Sequence, residues 1–303
     1  MTLFHRQIDR YDPIQIRESL EQGLLSLGGV EALLKGRNKI LLKPNFVAVR
    51  SKEANVCTRP EVILAVADVL LDRGVKVALG ESPGFGSAEK AVEMLGLQEG
   101  LEKRQIPYFT FSKVRRFRTD NPKFPWLSIA AELEEYDGLI NLAKVKTHCQ
   151  TQFSGAVKNL YGCVPGKRKA ARHMKAGNDE LAFMRMLVDN YHQAAAFLHL
   201  GDGIEALHRH GPTKGDSLPL GSLFLGDDGI ELDWAICRKI GLDPMQTLQF
   251  QVLGAQKDVV PLGDRLETEP EFEHALKIPI FFNPARVLRS VLRQWWIQAR
   301  FKR

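Results

Sequence analysis

The sequence has little cysteine: four in 303 residues, Cys57, Cys149, Cys163 and Cys237, with no two standing as a C-x-x-C pair. That excludes the spacing of zinc ribbons, thioredoxin-type redox motifs and ferredoxin clusters. Free thiols in a reducing, cytosolic setting follow, and no intrinsic iron–sulfur cluster is expected. No apolar run of about 18 residues occurs, so no segment is expected to span a membrane. Residues Met1 to Asp12 carry charges and lack the apolar stretch of a signal peptide. Aromatic residues make up 8% and are not interleaved with Lys and Arg as a stacking platform for bases would require. Nucleic acid is therefore not an expected partner.

What is present is enough apolar residue for a core and an excess of positive charge. The apolar fraction is 44% and the net charge +6. The basic balance favours a phosphorylated or carboxylated ligand, or an anionic membrane surface.

Short apolar runs alternate with amphipathic ones. Strands are expected near 38–42, 75–79, 106–111, 138–142, 197–200 and 222–225. Helices are expected from Arg59-Pro60 onward and over about 88–95. This order predicts an α/β fold with an open, mostly parallel, Rossmann-like sheet and flanking helices over 1–282. Seams between subdomains are marked near 115–125, which is charged and holds two prolines, and 211–221, which is rich in glycine and proline. Residues 283–303 alternate Arg289, Arg293 and Arg300 with Leu288, Leu292, Trp295 and Trp296, which predicts a basic amphipathic helix. Such a helix suits peripheral contact with an anionic membrane through 284–303, or packing on its own domain.

In open α/β sheets, ligands bind beyond the carboxyl ends of the strands. The loops expected there are Lys43-Pro44-Asn45, Gly80 to Ser87, Lys144 to His148, and Gly201-Asp202-Gly203. Lys144, Lys146 and His148 alternate, so an extended chain points them one way. Like charges on one face call for something negative among them. Lys43, Asn45, Ser82, Gly84, Lys144, Lys146 and Asn159 are the anion-binding candidates, and Glu81 is a candidate acid or base.

The segment from Lys144 to His173 gathers the most reactive side chains. His148 and His173 bracket Lys158, and Gly155 and Gly162 permit close approach of a ligand. A lysine among other cations, partly desolvated, loses proton affinity and becomes a usable base or nucleophile. Neutral imidazoles at His148 and His173 would ligate a transition metal or a metal-containing cofactor, whereas charged ones would bind an anion. His208 and His210 have the spacing of a metal pair but read as a solvated loop.

Lys43-Pro44-Asn45, Thr58-Arg59-Pro60-Glu61, Gly80-Glu81-Ser82-Pro83-Gly84, Lys144 to His148, Ser154 to Gly162, Asp202 to Ala206 and Gly211 to Gly215 occur in order. Together they resemble the family called domain of unknown function 362. The resemblance implies an α/β fold and a role often linked to iron–sulfur redox systems, with a separate electron donor needed here. A narrower resemblance, on His148, Lys158 and His173, is to the N-terminal domain of nickel-dependent lactate racemase. It implies a nickel pincer cofactor held covalently through the lysine, although nothing matches that family's other site histidine. Two functions follow: an enzyme with redox or proton-transfer chemistry at carbon, or a non-catalytic accessory docking on a redox partner or membrane.

Overall fold

Local chemistry sets where the helices begin. Asp12 accepts hydrogen bonds from the amides of Ile14 and Gln15 and is followed by Pro13, so the first helix starts there. Asp179, Ser87 and Asp228 cap later helices in the same way. A computed structural model describes residues 3–47, 55–254 and 259–280. Within them the chain runs β1 (Leu3–Gln7), α1 (Pro13–Ser26), α2 (Val30–Leu34), β2 (Lys39–Lys43), α3 (Pro60–Leu71), β3 (Lys76–Glu81), α4 (Ala88–Met94), α5 (Gln98–Lys103) and β4 (Tyr108–Thr110). It continues through β5 (Val114–Arg118), β6 (Trp126–Ala130), β7 (Gly138–His148), β8 (Gln152–Ser154), α6 (Ala156–Asn159), α7 (Arg168–Ala176) and α8 (Glu180–Ala194). The last elements are β9 (Leu198–His208), β10 (Asp216–Gly226), α9 (Gly229–Lys239), α10 (Leu248–Leu253) and β11 (Leu262–Gly263).

The main sheet has the order β11-β1-β10-β9-β7-β2-β3-β4, with β8 folded back on β7. The run β9-β7-β2-β3-β4 is parallel, and antiparallel pairing enters where β10 meets β9 and β1. This is the expected α/β class with a mostly parallel sheet. Alternation along the strands divides the core between two faces. Ile40 and Leu42 join the cluster formed with α1 and α3, while Leu41 joins a cluster on the other face. Ile140 and Leu142 follow the first pattern and Leu139 the second.

Several expectations change. The strands expected over 138–142 and 197–200 each run to eleven residues. Lys144, Lys146 and His148 therefore lie within β7, and Asp202 lies within β9 rather than in a turn. His208 also belongs to β9 and is buried, not solvated. The stretch 115–125 falls mostly within the β5–β6 hairpin, and 211–221 falls in the β9–β10 connection and the start of β10. The helix expected over 283–303 lies outside the described residues. Among those described, no helix is long and apolar enough to cross a membrane.

Candidate functional site

The parallel strands β2, β3 and β7 deliver Lys43, Glu81 and the Lys146–His148 end to one edge of the sheet. Lys43 and Glu81, both buried, form an ion pair, and Lys43 Nζ also donates to the Pro44 carbonyl at 2.8 Å and to Asn159 Oδ1 at 3.1 Å. Glu81 accepts the amide of Ser82 at 2.9 Å. Asn159 Oδ1 also accepts from Asn45 Nδ2 at 2.8 Å, and Asn159 Nδ2 donates to Asn141 Oδ1 at 2.7 Å. Gly162 sits against this pair, in contact range of both Glu81 and Lys43, so a side chain there would displace them.

Lys158 rides on α6, a four-residue helix tied down from α9. Asp233 accepts the amides of Ala156 at 2.5 Å and Val157 at 3.0 Å, and Gln249 Nε2 donates to it at 3.0 Å. Burial raises the Asp233 carboxyl to about 7 against the lowering pull of these donors. The preceding residue, Gly155, has no room for a Cβ, because Asp233 Oδ1 occupies that space.

Around α6 stands a group of amines with little negative charge. Lys146 is buried and donates to Asn45 Oδ1 at 2.7 Å and the Val56 carbonyl at 2.8 Å. Burial lowers its amine to about 7, helped by Lys158, Lys144 and Lys43. Burial and Lys43 lower Lys158 to about 8. Although protein surrounds it, the Lys158 side chain remains partly reachable by solvent, and its Nζ lies 5.3 Å from the Tyr161 ring centroid. Lys169, on α7, donates to the Ser82 carbonyl and is lowered to about 8, chiefly by burial.

His148 and His173 join Lys158. Burial holds His148 well below the ordinary imidazole value, and the charges of Lys158, Lys146 and His173 add to that fall. His173 falls to about 3 through burial and Lys158. Its ring lies 6.1 Å from that of Tyr161. Lys158 and His173 thus flank the Tyr161 ring, and the charges of both are felt at His148.

Hydrogen bonds set a different tautomer on each of the two imidazoles. His148 Nδ1 accepts the amides of Gln150 at 3.0 Å and Thr151 at 3.3 Å. A neutral His148 thus keeps its proton on Nε2, which makes Nε2 a hydrogen-bond donor rather than a metal ligand. His173 has the opposite tautomer, because its Nδ1 faces the Ile280 carbonyl at 3.4 Å. Among the described residues no three His, Cys, Asp or Glu gather as a metal set.

Other candidates have structural partners. Lys144 is fully buried; its Nζ contacts Asp202 at 2.9 Å and Tyr11 Oη at 2.6 Å, so Asp202 supplies the negative charge expected of a ligand. Asn45 and Asn159 spend their amides on the network around Lys43. Ser82 Oγ accepts the Gly166 amide at 3.0 Å, and Gly84 lies exposed in its loop. Cys163 is buried and pushed up to about 12, and Cys149 is half-buried beside Lys158. Sequence reasoning missed Lys169, Tyr161 and Asp233 as site residues. Lys169 and His173 stand four apart, a spacing that shares a helix face, and that signal could have found Lys169.

The family described as domain of unknown function (DUF362) matches residues 40–238. The thylakoid-associated protein sll1697 of Synechocystis is 36% identical over 297 residues, covering 95% of this chain and 92% of that one. A crystal structure of a Thermotoga maritima protein aligns with a TM-score of 0.47 and 14% identity over 71% of this chain. The lactate racemase apoprotein from Thermoanaerobacterium thermosaccharolyticum aligns with a TM-score of 0.48 and 14% identity over 76% of this chain. The alignment spans 55% of each of those two solved chains.

Proposed function

We propose that this chain, which belongs to the domain of unknown function 362 family, binds a small carboxylate or phosphate beside Lys158 and moves a proton at a carbon of that ligand. The observation that carries the reading is the charge imbalance. Lys146, Lys158 and Lys169 are all lowered by burial, and the nearby carboxylate, Glu81, is already paired with Lys43. Desolvating an ammonium costs several kcal/mol unless an anion joins it, so a bound anion would restore what burial takes away.

An amine near 8 is matched to general-base work at neutral pH. In this reading Lys158 Nζ takes the proton from a carbon next to a carbonyl, and the electron pair moves onto the carbonyl oxygen. His148 Nε2–H donates to that oxygen. Return of the proton from Lys158 completes an isomerisation with no net redox change, so no electron donor is required. The test is deuterium wash-in at carbon, followed in D2O with a panel of small 2-oxo and 2-hydroxy carboxylates. Exchange that Lys158→Ala abolishes, with the fold retained, supports the reading. No anion binding by calorimetry and no exchange with any member overturns it.

A second reading is favoured by the name of the Synechocystis relative, a thylakoid-associated protein. Here the chain is an accessory that docks peripherally on an anionic membrane or on a redox partner acting as electron donor, through 284–303. Co-sedimentation with anionic vesicles, lost on deleting those residues, is the supporting result. Full-length protein left in the supernatant removes the membrane version.

A further inference from the structure

Helix α7 has two faces, and the outer one lines a groove that the Lys158 cluster does not use. Lys169 and His173 turn toward that cluster. Arg168, Arg172 and Lys175, at helical spacing, turn the other way, toward the β5–β6 hairpin. Between helix and hairpin lies a cavity of about 350 Å³, to which the hairpin contributes Arg116 and Trp126. Its lining includes four cations and no carboxylate. Among the described residues none of the four forms an ion pair, whereas the neighbours Arg115 and Lys123 pair with Glu134 at 2.7 Å and Asp179 at 3.4 Å.

The groove has a fixed floor and an aromatic wall. Arg172, buried, donates to the Ser128 carbonyl at 2.7 Å and to Asn190 Oδ1 at 3.2 Å, which holds its guanidinium in place. Trp126 is 55% exposed, and the Arg116 guanidinium lies 5.3 Å from its ring centroid. Lys175 Nζ lies 5.5 Å from the Phe124 ring centroid. Planar guanidiniums and an ammonium around one hollow match the oxygens of a phosphoryl group. An exposed indole beside them offers a stacking face for a flat ring. The volume falls at the small end of organic-ligand sites, too small for a folded partner.

We infer that this groove binds a phosphomonoester carrying a flat ring, of the mononucleotide class, with the phosphate among Arg116, Arg168, Arg172 and Lys175 and the ring on Trp126. It is independent of the Lys158 reading and can fail without affecting it. The probes are adenosine 5′-monophosphate and phosphatidic acid vesicles, tested on the full chain by calorimetry and co-sedimentation. Arg116→Glu and Lys175→Glu lie on the surface, and an unchanged thermal midpoint shows that each variant folds. The expected result is saturable binding of the nucleotide that each substitution weakens at least tenfold, with Trp126→Ala also weakening it. Recruitment of the vesicles through the same two residues, with the nucleotide unbound, overturns the ring and assigns the phosphate to a lipid headgroup. No saturable binding of either probe, or binding insensitive to both charge reversals, overturns the site.

Discussion

Asp233 on α9 holds the helix that carries Lys158: its carboxylate accepts the Ala156 amide at 2.5 Å across 77 residues of sequence. The contact makes a buried acid the anchor of the most reactive segment of the chain. It also ties that segment to pH.

Burial raises the Asp233 carboxyl from its ordinary value of 3.8 to about 7. A raised carboxyl favours the folded state most where it is protonated in both states, below about 4. That contribution is lost as pH climbs through about 7. Asp233→Asn, which cannot ionise, should therefore show less fall in stability than the wild type between pH 4 and 7. Urea unfolding at each pH measures this, and parallel curves for the two proteins would contradict it.

Lys158 has the opposite sign. Its amine falls from 10.5 to about 8 on folding. Such a group withholds stability below about 8 and returns it as pH rises toward 10.5. Lys158→Met should raise stability at pH 7 by roughly 2 kcal/mol, and the advantage should vanish near pH 10.5. Chemical denaturation at the two pH values decides; a less stable variant at pH 7 would show that the amine has a compensating partner.

The Lys43–Glu81 pair should behave as a unit. Both side chains are at most 3% exposed. Glu81→Gln alone leaves a buried ammonium and should cost about 3–5 kcal/mol, while Lys43→Met with Glu81→Leu should cost less than the single changes added together. A double-mutant cycle on urea midpoints measures the coupling, and additive single changes would show that the pair contributes nothing as a pair.

Gly162→Ala tests the same place by volume. The new methyl would press on Glu81 Oε1 and Lys43 Nζ. Overpacking of this kind costs about 1–3 kcal/mol. The expected reading is a lower thermal midpoint together with weakened anion binding at Lys158. An unchanged midpoint would mean that the pair moves aside freely.

Sequence by itself determined the α/β class, because period-two and helical apolar patterns are local properties that need no partner. It marked the start of α3 through Arg59 and Pro60 for the same reason. The meeting of His148, Lys158 and His173 was also legible, because a strand end, a short helix and a following helix keep the chain close to one sheet edge. Tertiary structure alone decided which of the other cations lack an anion. Lys144 looked like a ligand contact until the parallel register of β7 and β9 set it opposite Asp202. Lys43 was claimed by Glu81 from the neighbouring strand. Periodicity reports only which face a side chain leaves by. Whether its charge is matched, and how far water is excluded from it, depends on residues tens of positions away, brought there by sheet register and packing.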